Sequence, residues 1–205
     1  MNIGCKQGRQ PMTEREWDLR LGIRTTGRED ESGVRYAPYE PTPYPVLLRL
    51  ADSGWLRTED HLLDYGCGKG RAAIFLAAMV GCRATGIDRS RKLIDVAEEN
   101  RRSSHLETQV SFVCAPAEHF CPQEENAFFF FNPFSEKIFA GVLRRLDRLC
   151  REKCRVMKLF CYYPSREYLA CLGDVAGSVR LIDCGDLFGG RDPRECIAAA
   201  FLGDP

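Results

Sequence analysis

Net charge is the first thing this 205-residue sequence lacks, because 29 lysines and arginines meet 29 aspartates and glutamates. No overall field draws the chain to a polyanion or an acidic membrane surface. The basic run "RRLDRLCREKCR" at 144–155 has the spacing of a solvated helix face, so no nucleic-acid partner is expected from it. No apolar run approaches the ~20 residues needed to span a bilayer. The opening "MNIGCKQGRQ" carries no apolar signal core, so secretion is not expected. Histidine is scarce, and His61, His105 and His119 form no pattern for nucleophilic or metal-assisted chemistry. Cysteine is plentiful at 11, but the count is odd and Cys150 and Cys154 have no second pair at ligand spacing. Structural zinc is therefore not expected. Cys67, Cys82, Cys114, Cys161 and Cys196 lie in apolar segments, where a thiol behaves as a small hydrophobe. These absences point to a reduced, cytoplasmic protein with neither metal nor membrane as partner. They leave its oligomeric state open.

What is present reads as one main domain behind an arm. The length and the 44% hydrophobic content suffice for one well-buried core. Residues 1–41 form the arm. "MTEREWDLRL" carries a capping box, Thr13 with Glu16, and predicts a short helix over 14–21, with Met12 stapled against Trp17. Residues 22–45, rich in Gly, Pro and Tyr, should be irregular. "TPYPVLLRLADSG" opens the domain at 42 as a helix, with Thr42 as cap, a proline first and Gly54 as stop.

From residue 61 strand and helix alternate to the end. "HLLDY", "CRATGID", "QVSFVCA", "NAFFFFN", "CRVMKLFCYY", "SVRLIDC" and "ECIAAAFL" read as strands. "RAAIFLAAMVG", "SRKLIDVAEENRR" (capped by Ser90), "SEKIFAGVLRRLDRLC" (capped by Ser135) and "SREYLACLG" read as helices. "NAFFFFN" is apolar on both faces, as a buried parallel strand must be. The pattern predicts a three-layer, doubly wound, mostly parallel seven-stranded α/β sheet. No helix separates the last two strands, so one of them should run antiparallel. Ligand should lie at the carboxyl ends of the strands, near the switch point.

The stretch "LLDYGCGKGR" at 62–71 sets Gly66, Gly68 and Gly70 between a strand and a helix, the context of a nucleotide-binding turn. Glycines there accept positive φ and admit a ligand to the main chain. A dinucleotide fingerprint would need its third glycine where Arg71 stands. Asp64, two residues before the turn, argues the same way. A carboxylate about 5 Å from a phosphate costs about 3 kcal/mol at an effective dielectric near 20, and an ammonium gains as much. S-adenosyl-L-methionine offers an ammonium and no phosphate. Asp88 ends the second strand, 22 residues after Gly66, where an acid can accept both ribose hydroxyls.

With "LLDYGCGKG", "GID" and "FFFNPF" in place, the chain resembles the class I, Rossmann-like S-adenosylmethionine-dependent methyltransferases over roughly 42–202. The resemblance implies S-adenosyl-L-methionine as cofactor and S-adenosyl-L-homocysteine as product. It implies that Asp64 and the loop from Gly66 to Gly70 hold the methionine moiety and Asp88 the ribose. Tyr44, Tyr65, Cys67, Arg89 and Asn132 are further candidate contacts. Where the family often has an aspartate beside the adenine, this chain has Pro116, which shifts that contact to Ala117 or Glu118. Asn132, Pro133 and Phe134 stand at the strand end that faces the cofactor, and are the candidate catalytic residues. Members with an Asn-Pro-Pro-aromatic motif methylate amino nitrogens, and the chain is also similar to small bacterial proteins with an Asn-Pro-Phe strand end. An acceptor nitrogen on a protein side chain or small molecule is the resulting expectation. "YAPYEPTPY", 36–44, is a stiff aromatic arm that could close over the cofactor or shape the acceptor pocket. Two other readings stay open: a non-catalytic cofactor-binding module and a nicotinamide-dependent oxidoreductase.

Overall fold

The alternation after residue 61 is realised as one sheet. The computed structural model describes residues 12–27, 39–107, 109–190 and 192–203. Tyr36 of the aromatic arm lies outside them. The strands are β1 (His61–Tyr65), β2 (Arg83–Asp88), β3 (Val110–Cys114), β4 (Ala127–Phe130), β5 (Met157–Tyr162), β6 (Val179–Asp183) and β7 (Cys196–Leu202). They lie in the order β3-β2-β1-β4-β5-β7-β6. The first five are mutually parallel, and β7 runs antiparallel to both β5 and β6. The closing antiparallel strand is thus the last in the chain.

Among the described residues the α-helices are α1 (Glu14–Leu21), α2 (Tyr44–Asp52), α3 (Arg71–Val80), α4 (Arg91–Ser103), α5 (Glu136–Lys153) and α6 (Arg166–Val175). Side chains of α2, α3 and α4 share one core with one face of the sheet, and those of α5 and α6 share a second core with the other. β4 shows why its run holds no polar residue. Phe128 and Phe130 enter the α5 core, Phe129 the α3 core, and none is more than 1% exposed. Ile138, Val142 and Leu149 are buried along α5 as their spacing requires. Among the described residues no helix is long and apolar enough to cross a membrane.

Caps and ends differ from the sequence reading in three places. Pro43, not Thr42, is the N-cap of α2, whereas Gly54, at φ 73° after the C-cap Ser53, ends the helix as expected. The start is fixed from outside: Arg71 donates to the Thr42 carbonyl at 3.2 Å and Tyr44 N–H to Glu14 at 3.1 Å. Ser135 precedes α5 but its hydroxyl makes no capping bond, whereas the Ser90 hydroxyl does cap α4. β4 stops at Phe130, because the chain turns through positive φ at Asn132.

β1 and β4 are neighbours in the sheet, yet β1 leads into α3 on one face and β4 into α5 on the other. A crevice opens where two such connections part, and it lies at the carboxyl ends of these strands.

Candidate functional site: the crevice above β1, β2 and β4

A cavity of about 420 Å³ occupies this crevice, within the usual range for small-molecule sites. Asp64, Gly66 and Cys67 come from β1 and its turn, Ile87 to Ser90 from the end of β2, and Leu93 from α4. Ala115 to Ala117 follow β3, and Phe129, Phe131, Pro133 and Phe134 belong to β4 and its exit. Tyr39 to Thr42, Arg71 and Ala72 complete the wall.

The turn between β1 and α3 has its own amides engaged. Gly66 and Cys67 N–H both donate to the Ile87 carbonyl at 2.9 Å, and Gly70 N–H to the Cys67 carbonyl at 2.8 Å. Gly68 N–H donates to Asp88 Oδ2 at 3.1 Å. A diphosphate cradle needs such amides free, and these four are spent. The three glycines are required nonetheless. All have φ between 53 and 84°. A Cβ on Gly66 would sit 2.4 Å from Pro133 Cβ, one on Gly68 2.2 Å from the Tyr39 ring, and one on Gly70 2.4 Å from the Phe112 ring. Each glycine makes room for a side chain of another element, where the sequence suggested room for ligand. Gly68 and Gly70 are accordingly not on the cavity wall.

Two carboxylates dominate the electrostatics. Asp64 is 4% exposed and faces the first turn of α3, where the Ala73 N–H pulls its carboxyl down against the larger effect of burial. It therefore occupies the helix N-terminus where a dinucleotide would place its phosphates. Burial, and then the Asp88 charge, push its carboxyl up to about 7. Such a group is held ionised most readily by a cation beside it. Asp88 is raised by burial too, against the pull of the Ser90 and Gly68 N–H groups. These take one bond on each oxygen, 2.9 Å to Oδ1 and 3.1 Å to Oδ2. The remaining lone pairs could accept a vicinal diol.

Beyond Asp88, Leu93, Ala115, Pro116 and Ala117 form an apolar slot suited to a flat base. Its floor is pinned by Arg145 of α5, a residue inside the basic run that reads as solvated. Arg145 donates to the carbonyls of Ala117 at 3.1 Å, Phe120 at 2.8 Å and Glu118 at 2.5 Å. Glu118 itself borders a separate, smaller hollow with Ser135 and Arg145. Of the two adenine-side candidates, only Ala117 is on the main cavity.

At the β4 exit, Pro133 and Phe134 line the cavity. The Phe134 carbonyl is already taken by the Tyr168 hydroxyl at 2.6 Å. Asn132 has φ 41°, and its Nδ2 donates to the Tyr163 carbonyl at 2.6 Å. Its Oδ1 is buried with no hydrogen-bond partner among the described residues.

Asn132 itself is not on the cavity wall, and two tyrosines among the expected contacts lie elsewhere. Tyr44 is fully buried, its hydroxyl bonded to Asp18 at 2.6 Å. Tyr65 points into the α5 core, stacked on Phe130 at 4.9 Å, because alternate residues of β1 face opposite sides of the sheet. Conversely, Arg71 and the Tyr39–Thr42 segment are on the wall. Arg71 looked like a bulky interruption in the sequence. The signal missed was its position, the first residue of a helix facing an arm rich in acids.

The fold and this cavity define a doubly wound domain with a nucleoside-sized site at its switch point. Residues 62–158 match a family model described as a methyltransferase domain. Methyltransferase GfsG of Streptomyces halstedii is 35% identical over 101 residues, 47% of this chain and 34% of that protein. The 27-O-demethylrifamycin SV methyltransferase of Amycolatopsis mediterranei is 35% identical over 89 residues, 43% of this chain and 31% of that protein. The chain thus spans about a third of the length of these curated relatives. An RNA methyltransferase from Salinibacter ruber, solved with S-adenosyl-L-homocysteine, has the same fold, with a TM-score of 0.56 and 19% identity over 80% of this chain and 92% of that one. Residues 62–158 thus resemble a methyltransferase domain, and the chain shares its fold with a methyltransferase solved with S-adenosyl-L-homocysteine.

Proposed function

We propose that the protein transfers the methyl of S-adenosyl-L-methionine to an unprotonated amine nitrogen, on a protein side chain or a small molecule. The observation that supports the nitrogen is the buried Asn132 Oδ1 without a donor among the described residues; Asn132 is not itself on the cavity wall, but its chain neighbours Phe131 and Pro133 are. A buried acceptor left unpaired costs about 1–3 kcal/mol, and an amine N–H is one donor that would relieve it. When bound, the cofactor supplies an electrophilic methyl on a sulfonium and departs as the thioether.

In this reading Asp64 receives the ammonium of the methionine moiety and Asp88 the ribose hydroxyls, with Arg89, Gly66 and Cys67 around them. Ala115 to Ala117 face the base. Pro133, seated on Gly66, sets the spacing between the cofactor turn and the acceptor. Phe129, Phe131 and Phe134 exclude water from the path of the methyl, and keep an amine there neutral by disfavouring its charged form. Methyl transfer from a cation asks little of acid–base groups, so alignment supplies most of the acceleration.

A hydroxyl acceptor is the second reading, favoured by the O-demethylated substrate in one relative's name. Incubation with methyl-labelled cofactor and a fractionated lysate separates the two, with Asp88→Ala as control. The nitrogen reading expects label in protein or small-molecule amines that survives mild base and disappears with Asp88→Ala. Label confined to oxygen contradicts it, and binding without any turnover supports a non-catalytic module.

A further inference from the structure

We propose that Arg71 is a positioning residue that docks the amino-terminal arm as a wall of the cofactor cavity, so that arm docking and cofactor binding form one coupled equilibrium. The ligand named in the test rests on the methyltransferase reading above; the docking itself rests on geometry alone.

Arg71 opens α3 directly after the glycine turn and is 2% exposed. A guanidinium so placed must find all its partners within the protein, and every partner comes from residues 14–44. Nε donates to Thr25 Oγ1 at 2.6 Å. One terminal nitrogen donates to the Glu14 carboxylate and to the Thr42 carbonyl. The other makes no hydrogen bond among the described residues but lies in ion-pair range, 3.6 Å, of Asp18 Oδ1, and the guanidinium carbon sits 4.2 Å over the Tyr44 ring. Asp18 is itself buried and saturated, accepting from Thr25 N–H at 2.7 Å, Thr26 N–H at 3.1 Å and the Thr25 and Tyr44 hydroxyls at 2.6 Å. The cluster is built to hold one cation.

The same cluster reaches the cavity. Thr25, gripped by Arg71, offers its carbonyl to the Tyr39 hydroxyl at 2.7 Å. The Tyr39 ring lies against Gly68, in the space a Cβ would fill. Tyr39, Glu40, Pro41 and Thr42 are all wall residues. A path of direct contacts therefore runs from Arg71 through Thr25 and Tyr39 back to the cofactor turn. Lifting the arm would leave the guanidinium to water and open that wall. Coupling of this kind is reciprocal: what the arm gives to cofactor affinity, the cofactor returns to arm docking.

Hydrogen exchange on the full chain, with and without S-adenosyl-L-homocysteine, tests this beside calorimetry. In the wild type the ligand should slow exchange of residues 14–27 and 39–44. Arg71→Met should weaken the ligand at least tenfold and abolish that protection, while β1 and β4 amides stay protected and so report an intact core. Arg71→Lys keeps the charge without the fork, and should recover part of both effects. Ligand binding that leaves arm exchange unchanged in the wild type overturns the proposal, whatever the variants do. So does an Arg71→Met chain whose arm is released but whose affinity is unchanged. A wild type that binds no S-adenosyl-L-homocysteine overturns the methyltransferase reading itself, which is a separate result.

Discussion

At the scale of the residue, Asp64 carries the account. Its place in the sequence predicts a carboxylate hostile to phosphate, and the structure adds the mechanism: it already fills the α3 N-terminus and is buried there. A carboxyl raised to about 7 keeps its proton in the folded chain at a pH where the unfolded chain has lost it. Its contribution to apo stability is therefore present below the unfolded value, near 4, and is lost as pH rises through 7. Asp64→Asn, which keeps the shape of the side chain without its charge, should raise the apo Tm by several degrees at pH 8 and leave it nearly unchanged at pH 4. The same variant should lose cofactor affinity by more than tenfold. In the wild type, S-adenosyl-L-homocysteine affinity should fall by up to about tenfold per pH unit below 7, since the ammonium needs the ionised form. Titration calorimetry from pH 5.5 to 8 checks this, and a flat profile would contradict it. Asp88→Ala should cost at least about tenfold in affinity by the same assay. Arg71 was not legible in this way, because its partners Thr25 and Glu14 lie 46 and 57 positions earlier.

At the scale of the element, the glycine turn is the joint where the arm, β3 and the β4 exit meet. Gly54 and Gly66 have nearly the same φ, 73 and 76°, but a Cβ meets nothing within 4 Å at Gly54 and Pro133 at 2.4 Å at Gly66. Gly54→Ala should cost only the left-handed strain, about 1–2 kcal/mol, or a few degrees of Tm. Gly66→Ala should cost clearly more, and weaken the cofactor by moving Pro133; equal losses in a thermal melt would refute this packing. Arg145→Met should loosen the 116–120 loop and weaken S-adenosyl-L-homocysteine several-fold with little change in Tm, read by calorimetry and melting. Helix and strand identities were legible from periodicity. The N-cap of α2 was not, because Glu14 and Arg71, rather than Thr42, decide where it starts.

For the whole molecule, the order of strands and helices and the closing antiparallel strand follow from the sequence pattern, since a parallel sheet covered on both faces leaves apolar runs such as Phe128–Phe130. The cavity's inner half was legible too, in Asp64, Asp88 and the turn. The outer half was not: the arm's share of the wall arises from contacts between residues far apart in the chain, and alternation along β1 sends Tyr65 to the opposite core. The most direct test is a pair of calorimetric titrations of the purified chain at pH 8, one with S-adenosyl-L-homocysteine and one with NAD. One-to-one uptake of the first, weakened more than tenfold in Asp64→Asn, and no heat with the second is the predicted result. Saturable binding of the dinucleotide with indifference to the thioether would contradict the account.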